Sequence, residues 1–331
     1  APDGTKIGVF GLDTPETATK AHPAKIQGVT FLAGEDLYDC AQDQVDALEA
    51  EGCEYIICLG HLGIDEESVG NRSIDLLEEV EGIDVFIDGH SHSTLEDVKA
   101  AAGGTGKVGD TLVTSTGTKL ESVGVVTIDA DGTITTATTP VADLTAEDAD
   151  VAARAAAIQK EIDDEYGTVF AKTEVALNGE REPGNRTEET NLGDLITDAL
   201  VWGAEREGTE VDAAVTNGGG IRASIAAGDI TKKDINTVLP FGNTLSIVQV
   251  TGAELLEALE ASTYCTPTSI GGFPQVSGIE FTVDTTKAYD QGELYPGSPY
   301  YGPKSIQRVT IETVGGAPFD ANATYTIATN D

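Results

Sequence analysis

The sequence predicts an α/β protein of two domains joined by a helix, and three observations lead to this fold class. The chain has 331 residues, which is enough for about two domains with separate hydrophobic cores. Its first part alternates continuous apolar runs with stretches of helical periodicity, a pattern typical of a sheet buried on both faces. After an amphipathic stretch near the middle of the chain, strands and helices alternate again.

The first domain is expected over residues 1–142. Its apolar runs predict strands and its periodic stretches predict helices, namely strands over 6–12, 55–59 and 84–88 and helices over 35–50 and 73–80. From residue 111 onward shorter alternating runs follow, and Asp131-Gly132 between two of them predicts a hairpin. The early strands, separated by helices, favour a parallel sheet.

A helix over residues 143–168 is expected to link the two domains. Thr145 begins it in the manner of a capping box, in which the side chain of one residue bonds the backbone three residues further on. Its larger apolar residues recur on one face, at Val151, Ala155, Ile158 and Ile162.

Residues 169–331 are predicted to form a second domain of α/β or α+β type. A helix is expected over 191–203, with Leu195 among the residues that face inward. Thr251 and Glu254 have the spacing of a full capping box, which predicts the start of another helix.

The charge of the chain is strongly negative, because 57 Asp and Glu against 19 Lys and Arg give a net charge of −38. Such a surface repels nucleic acids, so no nucleic-acid polymer is expected as a partner. No apolar run reaches the ~18 residues that a membrane-spanning helix needs, so no membrane span is expected. The four cysteines are too few for a disulfide framework, although a bridge between Cys40 and Cys53 stays open.

Three of the four histidines stand in two short motifs that follow apolar runs: His61 in Gly60-His61, and His90 and His92 in Gly89-His90-Ser91-His92. Imidazoles at neighbouring strand ends are suitable ligands for Zn, Mn or Fe. Each preceding glycine is interpreted as space for a metal group to approach the chain. In extended backbone His90 and His92 would point to the same side. The alternative is that these are surface histidines in polar loops.

A glycine-rich segment, residues 217–222, follows a predicted strand and ends at Arg222. Its backbone amides, including that of Gly219, could face an anion or a ring. Arg186 stands just before a predicted helix. Two arginines beside such loops suit a carboxylate or phosphate ligand, whereas the alternative interpretation of the glycines is a simple turn.

Phe241 lies in a Pro/Gly loop, with Asn243 two residues further on. An aromatic side chain in such a loop either fills the core or offers a platform on which a base can stack. The adjacent amide favours the second interpretation.

Taken together, these motifs resemble the secreted bifunctional 5′-nucleotidase family, which also includes UDP-sugar hydrolases and 2′,3′-cyclic-nucleotide phosphodiesterases. The matching stretches cover nearly all of the chain and are residues 6–19, 60–61, 89–92, 186–199, 217–222 and 239–243.

The resemblance implies a partial α/β/β/α metallophosphoesterase sandwich, a linker helix and then the family's carboxyl-terminal substrate-binding domain. It implies two divalent metal ions, Zn, Mn or similar, with His61 and His90 as ligands of one and His92 as a ligand of the other. It also implies that Arg186 and Arg222 bind the substrate and that the remaining contacts to the nucleoside come from Asn217, Gly219, Phe241 and Asn243. The implied reaction converts a nucleoside 5′-monophosphate into a nucleoside and phosphate.

This chain departs from the family pattern at both ends. The family's Asp-x-His, Gly-Asp and Gly-Asn-His-Asp/Glu motifs are expected before Lys6, and its closing Gly-Gly-Asp-Gly segment after Asp331. No catalytic residue is therefore assigned here, and a further amino-terminal segment of the same protein is expected as a partner. We expect the 331-residue chain alone to be inactive. The resemblance also implies an extracellular, cell-surface or periplasmic location, and the alternative from another class is a non-catalytic nucleoside-binding surface module.

Overall fold

The computed structural model describes residues 1–296 and 298–331, which fall into two compact units. The first unit is Ala1–Ala146, and the second is Glu147–Pro296 with Tyr300–Asp331. Each unit has its own apolar core.

The first unit is built on a mainly parallel sheet. Its elements in chain order are β1 (Ile7–Asp13), α1 (Thr17–Lys20), α2 (Glu35–Ala50), β2 (Tyr55–His61), α3 (Ser73–Glu79), β3 (Val85–Ile87), α4 (Leu95–Ala101), β4 (Lys107–Val108), β5 (Thr111–Thr114), β6 (Ser122–Ile128) and β7 (Ile134–Pro140). In the sheet the strand order is β1-β2-β3-β5-β4, and every pairing is parallel except that of the edge strand β4 with β5. Strands β6 and β7 form the predicted hairpin. The predicted parallel α/β sheet is confirmed.

One face of this sheet packs on helices, and the other is partly exposed. Ile56 and Cys58 of β2 are buried in the core with Val45 of α2. On the opposite face Val9 is 53% exposed and Leu59 is 50% exposed. The prediction of a sheet buried on both faces is therefore wrong for β1 and β2. An apolar run in the sequence indicates that both faces of a strand are hydrophobic. It does not indicate whether other elements among the described residues pack on both faces.

The second unit combines helices with several antiparallel pairings. Its elements are α5 (Ala149–Tyr166), β8 (Val169–Thr173), α6 (Asn191–Arg206), β9 (Ala213–Asn217), β10 (Gly228–Thr231), α7 (Lys232–Val238), β11 (Leu245–Thr251), α8 (Gly252–Ser262), β12 (Pro274–Ser277), β13 (Ile279–Val283), β14 (Asp290–Leu294), β15 (Tyr301–Ser305), β16 (Val309–Val314), β17 (Ala317–Pro318) and β18 (Thr324–Asn330). The main sheet has the order β11-β18-β9-β12, in which only β18 and β9 are parallel. Strand β9 therefore lies inside this sheet and delivers the glycine-rich segment at its end.

Helix α5 begins at Ala149, four residues after Thr145, whose capping-box spacing predicted the start. Its N-cap is Asp148, whose side chain accepts hydrogen bonds from the amides of residues 150 and 151, so the predicted cap at Thr145 is wrong. The helix contains no buried residue, and Val151 on its predicted apolar face is 68% exposed. Asp163 near its end pairs with Lys233 of α7 at 2.7 Å.

The predicted capping box at the start of α8 is confirmed, since Thr251 and Glu254 each accept a bond from the backbone of the other. Within the described residues all four cysteines are free thiols, so the bridge between Cys40 and Cys53 is absent. Among the same residues no helix is both long and apolar enough to cross a membrane.

Candidate functional site

Two of the predicted metal-binding histidines meet at the carboxyl ends of adjacent parallel strands. His61 is the last residue of β2, and His90 lies three residues after β3. Their ring centroids are 5.0 Å apart, with the ring planes inclined at 60°. Because carboxyl ends of parallel strands meet at one edge of a sheet, residues 29 positions apart in sequence become neighbours here.

Packing requires the first of the two glycines that precede these histidines and leaves little room at the second. A Cβ atom at Gly60 would lie 2.1 Å from Cε1 of Phe86, and one at Gly89 would lie 3.1 Å from Nδ1 of His61. The interpretation that the glycine leaves space for a metal is therefore wrong for Gly60, because the ring of Phe86 fills that space.

The backbone of residues 89–92 is not extended. His90 has φ 74° and His92 has φ 60°, both in the left-handed region that few non-glycine residues adopt. The prediction that alternation puts both rings on one side is therefore wrong. His92 is exposed, and within residues 1–296 and 298–331 no three His, Cys, Asp or Glu side chains form a metal-binding cluster. The structure brings together two of the three predicted ligands.

A buried carboxylate that the sequence analysis did not single out contacts this pair. Glu16, before α1, is 1% exposed, and its Oε2 lies 2.9 Å from Nε2 of His90. Lys20 Nζ lies 2.5 Å from the same oxygen, and Ser68 donates to Oε1 at 2.5 Å. Burial raises the pKa of Glu16, but the hydrogen bond from His90 and the charge of Lys20 outweigh it and lower that pKa to about 2. The carboxylate is therefore ionised.

The side chain of Asp88 connects the segment that follows His61 to the segment that carries His90 through hydrogen bonds. Its Oδ1 accepts from the amides of Leu62 and Gly63 at 3.1 Å and from that of Gly89 at 2.8 Å. Partial burial and the neighbouring His90 lower the pKa of His61, with Asp13 and Asp88 opposing. A lowered pKa favours the neutral imidazole, which is the form that ligates metals.

The imidazoles of His61 and His90 are ligands of a type that suits a divalent transition metal. The two imidazoles lie close together, at the end of β2 and beyond the end of β3, and Nε2 of His90 forms a hydrogen bond with a carboxylate, as is usual for metal-ligating histidines. A zinc ion usually takes at least three protein ligands, so the pair supplies part of a site.

A pocket in the second unit contains three of the residues predicted to bind substrate, namely Asn217, Phe241 and Asn243. The pocket is lined by Ile196, Leu200, Thr216, Asn217, Gly220, Leu239, Phe241, Gly242, Asn243, Thr244, Leu245 and Asn330. Phe241 is 59% exposed, so its ring does not fill the core. An exposed ring beside amide side chains suits a planar heterocycle.

Arg222 reaches the pocket from beside it. Its guanidinium carbon Cζ lies 5.6 Å from the centroid of the Phe241 ring, and Nη1 donates to the carbonyl of Gly219 at 3.2 Å. Burial is the first cause that lowers the pKa of Arg222, and the positive charge of Arg181 is the second. Arg181 thus lies close enough to influence Arg222, although the sequence analysis gave it no role.

The glycine-rich segment is a short turn whose first amides are already used. Gly218 donates to the carbonyl of Phe273 and Gly219 to that of Gly271, both at 2.8 Å. The prediction that backbone amides here face an anion is therefore wrong for these two residues. A Cβ atom at Gly218 would lie 1.8 Å from the carbonyl oxygen of Asn185, so close backbone approach requires this glycine.

Hydrogen bonds orient the amides at the pocket wall. Asn330 donates through Nδ2 to Oδ1 of Asn217 at 3.3 Å, and its own Oδ1 accepts from Thr216 at 2.9 Å. The segment that carries Arg186 is fixed from behind by Gln275, which is 1% exposed and donates to the carbonyls of Asn185 and Glu188. Ile270 also donates to the carbonyl of Arg186, at 3.1 Å. Asn330 and Gln275 are thus part of the site's architecture, although their spacing gives no sign of it.

The first unit thus carries two neighbouring imidazoles at its strand ends, and the second has an aromatic pocket flanked by Arg222. Residues 169–331 match the family model described as "5′-nucleotidase, C-terminal domain". The chain is 34% identical to the trifunctional nucleotide phosphoesterase protein YfkN of Bacillus subtilis, over 99% of this chain and 21% of that protein. It is 29% identical to a snake venom 5′-nucleotidase of Crotalus adamanteus, over 85% of this chain and 50% of that protein.

Its structure is similar to the crystal structure of a 5′-nucleotidase precursor from Thermus thermophilus. The TM-score is 0.73 and the identity 30%, with 99% of this chain and 63% of that chain covered. Over nearly its whole length the chain is thus similar to nucleotide phosphoesterases and 5′-nucleotidases. It spans between about a fifth and a half of the length of the two curated relatives described above.

Proposed function

We propose that this chain is part of a metal-dependent nucleotide phosphohydrolase that converts nucleoside 5′-monophosphates into nucleosides and phosphate. The observation that carries the proposal is the Arg222–Phe241 arrangement, because an exposed ring with a guanidinium over it offers stacking for a base and charge for a phosphate in one place. The similarity to nucleotide phosphoesterases supports the same substrate class.

In this proposal the nucleoside binds in the pocket of the second unit. Phe241 stacks on the base, while Asn217 and Asn243 supply amide groups for hydrogen bonds to its edge. Arg222 and Arg186 contribute positive charge for the phosphate, and Arg181 joins them because its charge is felt at Arg222. Gly219 takes part through its carbonyl, which holds the Arg222 guanidinium.

His61 and His90 are the residues of this chain that would hold a divalent metal ion, Zn, Mn or similar, with His92 as a ligand of a second ion. Bound metal supplies Lewis acidity toward the phosphate oxygens and an activated water. A two-metal centre needs carboxylate ligands as well, so the proposed activity requires ligands beyond the histidine pair.

A second candidate function is nucleoside binding without catalysis. It is favoured by one observation: the pocket is formed by residues of one unit. UDP-sugar hydrolysis and 2′,3′-cyclic-nucleotide hydrolysis are alternatives within the enzyme class. An extracellular or cell-surface location is proposed from the similarity to a venom 5′-nucleotidase, and the net charge of −38 is compatible with it.

The test combines binding with turnover. Adenosine and AMP are titrated into the 331-residue chain by calorimetry, and hydrolysis of AMP, UDP-glucose and 2′,3′-cyclic AMP is followed with added Mn²⁺ or Zn²⁺. Binding of adenosine that is lost on Phe241→Ala supports the nucleoside site. Absence of adenosine and AMP binding at millimolar concentration would refute both candidate functions. Turnover of AMP supports the enzyme and excludes the binding module.

A further inference from the structure

The contact between Glu16 and His90 joins two residues that are 74 positions apart. Only the fold brings them together, so no local sequence pattern requires this pairing. We propose that Glu16 is a positioning residue that fixes the orientation and tautomer of the His90 imidazole, so that its Nδ1 atom is presented to a divalent cation. The proposal rests on the metal site of the proposed function.

The direction of the hydrogen bond follows from the surroundings of Glu16. Lys20 contacts Oε2 and Ser68 donates to Oε1, so the carboxylate is held in its ionised form. An ionised carboxylate can only accept hydrogen bonds, and Nε2 of His90 must therefore carry the proton. In a neutral imidazole the lone pair is then on Nδ1.

Glu16 is itself held rigidly. The carbonyl of Glu16 accepts from the amide of Lys20 at 2.8 Å in the first turn of α1, so the backbone is fixed as well as the side chain. Lys20 also pairs with Glu67 at 2.7 Å, which limits its freedom to leave Glu16. A carboxylate locked in this way can orient a ring rather than follow it.

His90 needs such support because its own backbone conformation is an uncommon one. Its φ of 74° places it in the left-handed region, in a short turn where Ser91 donates to the carbonyl of Gly89 at 3.0 Å. Conformations of this kind persist where the surroundings hold them. Metal-ligating histidines usually donate their second ring nitrogen to a carboxylate, and loss of that partner typically costs 10–100-fold in metal affinity.

The first test needs no substitution in the Glu16 cluster. The 331-residue chain is labelled with ¹⁵N, and its imidazole nitrogens are observed by long-range ¹⁵N–¹H correlation at about pH 8, where unperturbed histidines are neutral. The His90 signals are identified by their loss in His90→Gln. We expect Nε2 protonated and Nδ1 unprotonated. The opposite tautomer, or a mixture, would overturn the proposal.

The second test measures Zn²⁺ affinity by calorimetry. We expect Glu16→Gln to weaken Zn²⁺ binding by 10–100-fold and to give His90 a mixture of tautomers, with partial recovery in Glu16→Asp. Glu67→Gln is the matched control, because Glu67 shares Lys20 but the contact to His90 is made by Glu16. It should leave the tautomer unchanged. Wild-type affinity in Glu16→Gln would overturn the proposal even with the expected tautomer in the parent chain.

Failure of the proposed function gives a different result. If the unaltered chain shows the expected tautomer but binds no Zn²⁺, the metal site is refuted while the orientation of His90 by Glu16 stands. If Glu16→Gln does not fold, the tautomer of His90 in the unaltered chain still decides whether the proposal stands.

Discussion

In the second unit, the guanidinium of Arg222 lies over the ring of Phe241, with Cζ 5.6 Å from the ring centroid. The pair combines a flat apolar surface with a positive charge that burial has partly removed from water. Desolvated cation–π pairs are stronger than exposed ones, so each partner helps to fix the other.

Substitution of Phe241 by Ala should weaken adenosine binding by about 1–3 kcal/mol, the range for stacking of a base on an aromatic side chain. Calorimetry gives the affinity directly. Phe170→Ala is the matched control, because Phe170 is also 59% exposed but does not line the pocket. An equal loss of adenosine affinity in both variants would show that the effect comes from a general change in the second unit.

Arg222→Lys should weaken AMP binding roughly tenfold or more and adenosine binding less, because lysine keeps the charge but loses the planar, forked donor set that matches a phosphate. Arg206→Lys is the control, since Arg206 lies over Trp202 at 5.1 Å outside the pocket. If Arg222→Lys reduced adenosine and AMP binding alike, a role in phosphate recognition would be ruled out.

Gly218→Ala should destabilise the protein by about 3 kcal/mol, because the new methyl group would overlap the carbonyl oxygen of Asn185 and force the backbone apart. Urea unfolding measures the change. In Gly203→Ala the nearest contact is Cδ2 of Leu245 at 3.4 Å, and replacing a helical glycine favours the folded state by up to about 1 kcal/mol. Equal midpoints for the two variants would contradict the close approach at residue 218.

The stability of the first unit should fall as the pH is lowered from about 5 to 2. The pKa of Glu16 is about 2 in the folded protein and near 4.5 in the unfolded chain, so the unfolded state takes up the proton first. The stability that Glu16 contributes is complete above the unfolded pKa and is lost as the pH falls toward the folded one. It amounts to at most about 3 kcal/mol. Glu16→Gln should remove this part of the pH dependence in urea unfolding, whereas Glu96→Gln, at an 82% exposed side chain, should not.

The exposed face of β1 and β2 should bind hydrophobic dyes. Val9→Thr with Leu59→Thr should reduce dye fluorescence and change the free energy of unfolding by no more than about 0.5 kcal/mol, since both side chains are at least half exposed. Threonine also keeps the strand propensity. Ile56→Thr, on the buried face of the same sheet, should destabilise markedly. Unchanged dye binding in the double variant would show that the dye binds elsewhere.

Local signals in the sequence predicted local structure well. The bounds of α2 follow from its apolar spacing, and those of α8 from a capping box that the structure contains. The predicted start of α5 is wrong because two side chains that can cap a helix, Thr145 and Asp148, lie within four residues of each other. The carboxylate of Asp148 is the one that accepts the hydrogen bonds. Leu195 was expected to face inward but is 50% exposed, because the buried stripe of α6 passes through Gly193 and Thr197 instead.

The candidate site was predictable where its residues follow strands and not where they meet through the fold. The strand-end motif predicts that His61 and His90 come together, and the glycine-rich segment points to Arg222. The Glu16 contact to His90 and the influence of Arg181 on Arg222 depend on tertiary placement, which periodicity does not encode. A glycine-rich sequence also does not show whether its backbone amides are available to a ligand. Here the amides of Gly218 and Gly219 donate hydrogen bonds to the carbonyls of residues 273 and 271.

The packing of Phe86 under Gly60 ties together two positions that a motif search would treat separately. Because the Cβ space at residue 60 is occupied by an aromatic ring from the next strand, the permitted side chain at one position depends on the size of the other. Relatives with a small residue in place of Phe86 would tolerate alanine or serine before the histidine, and those with a large ring would not. The glycine of Gly60-His61 is therefore set by packing against the neighbouring strand, and the histidine is the residue of this pair that can take part in chemistry.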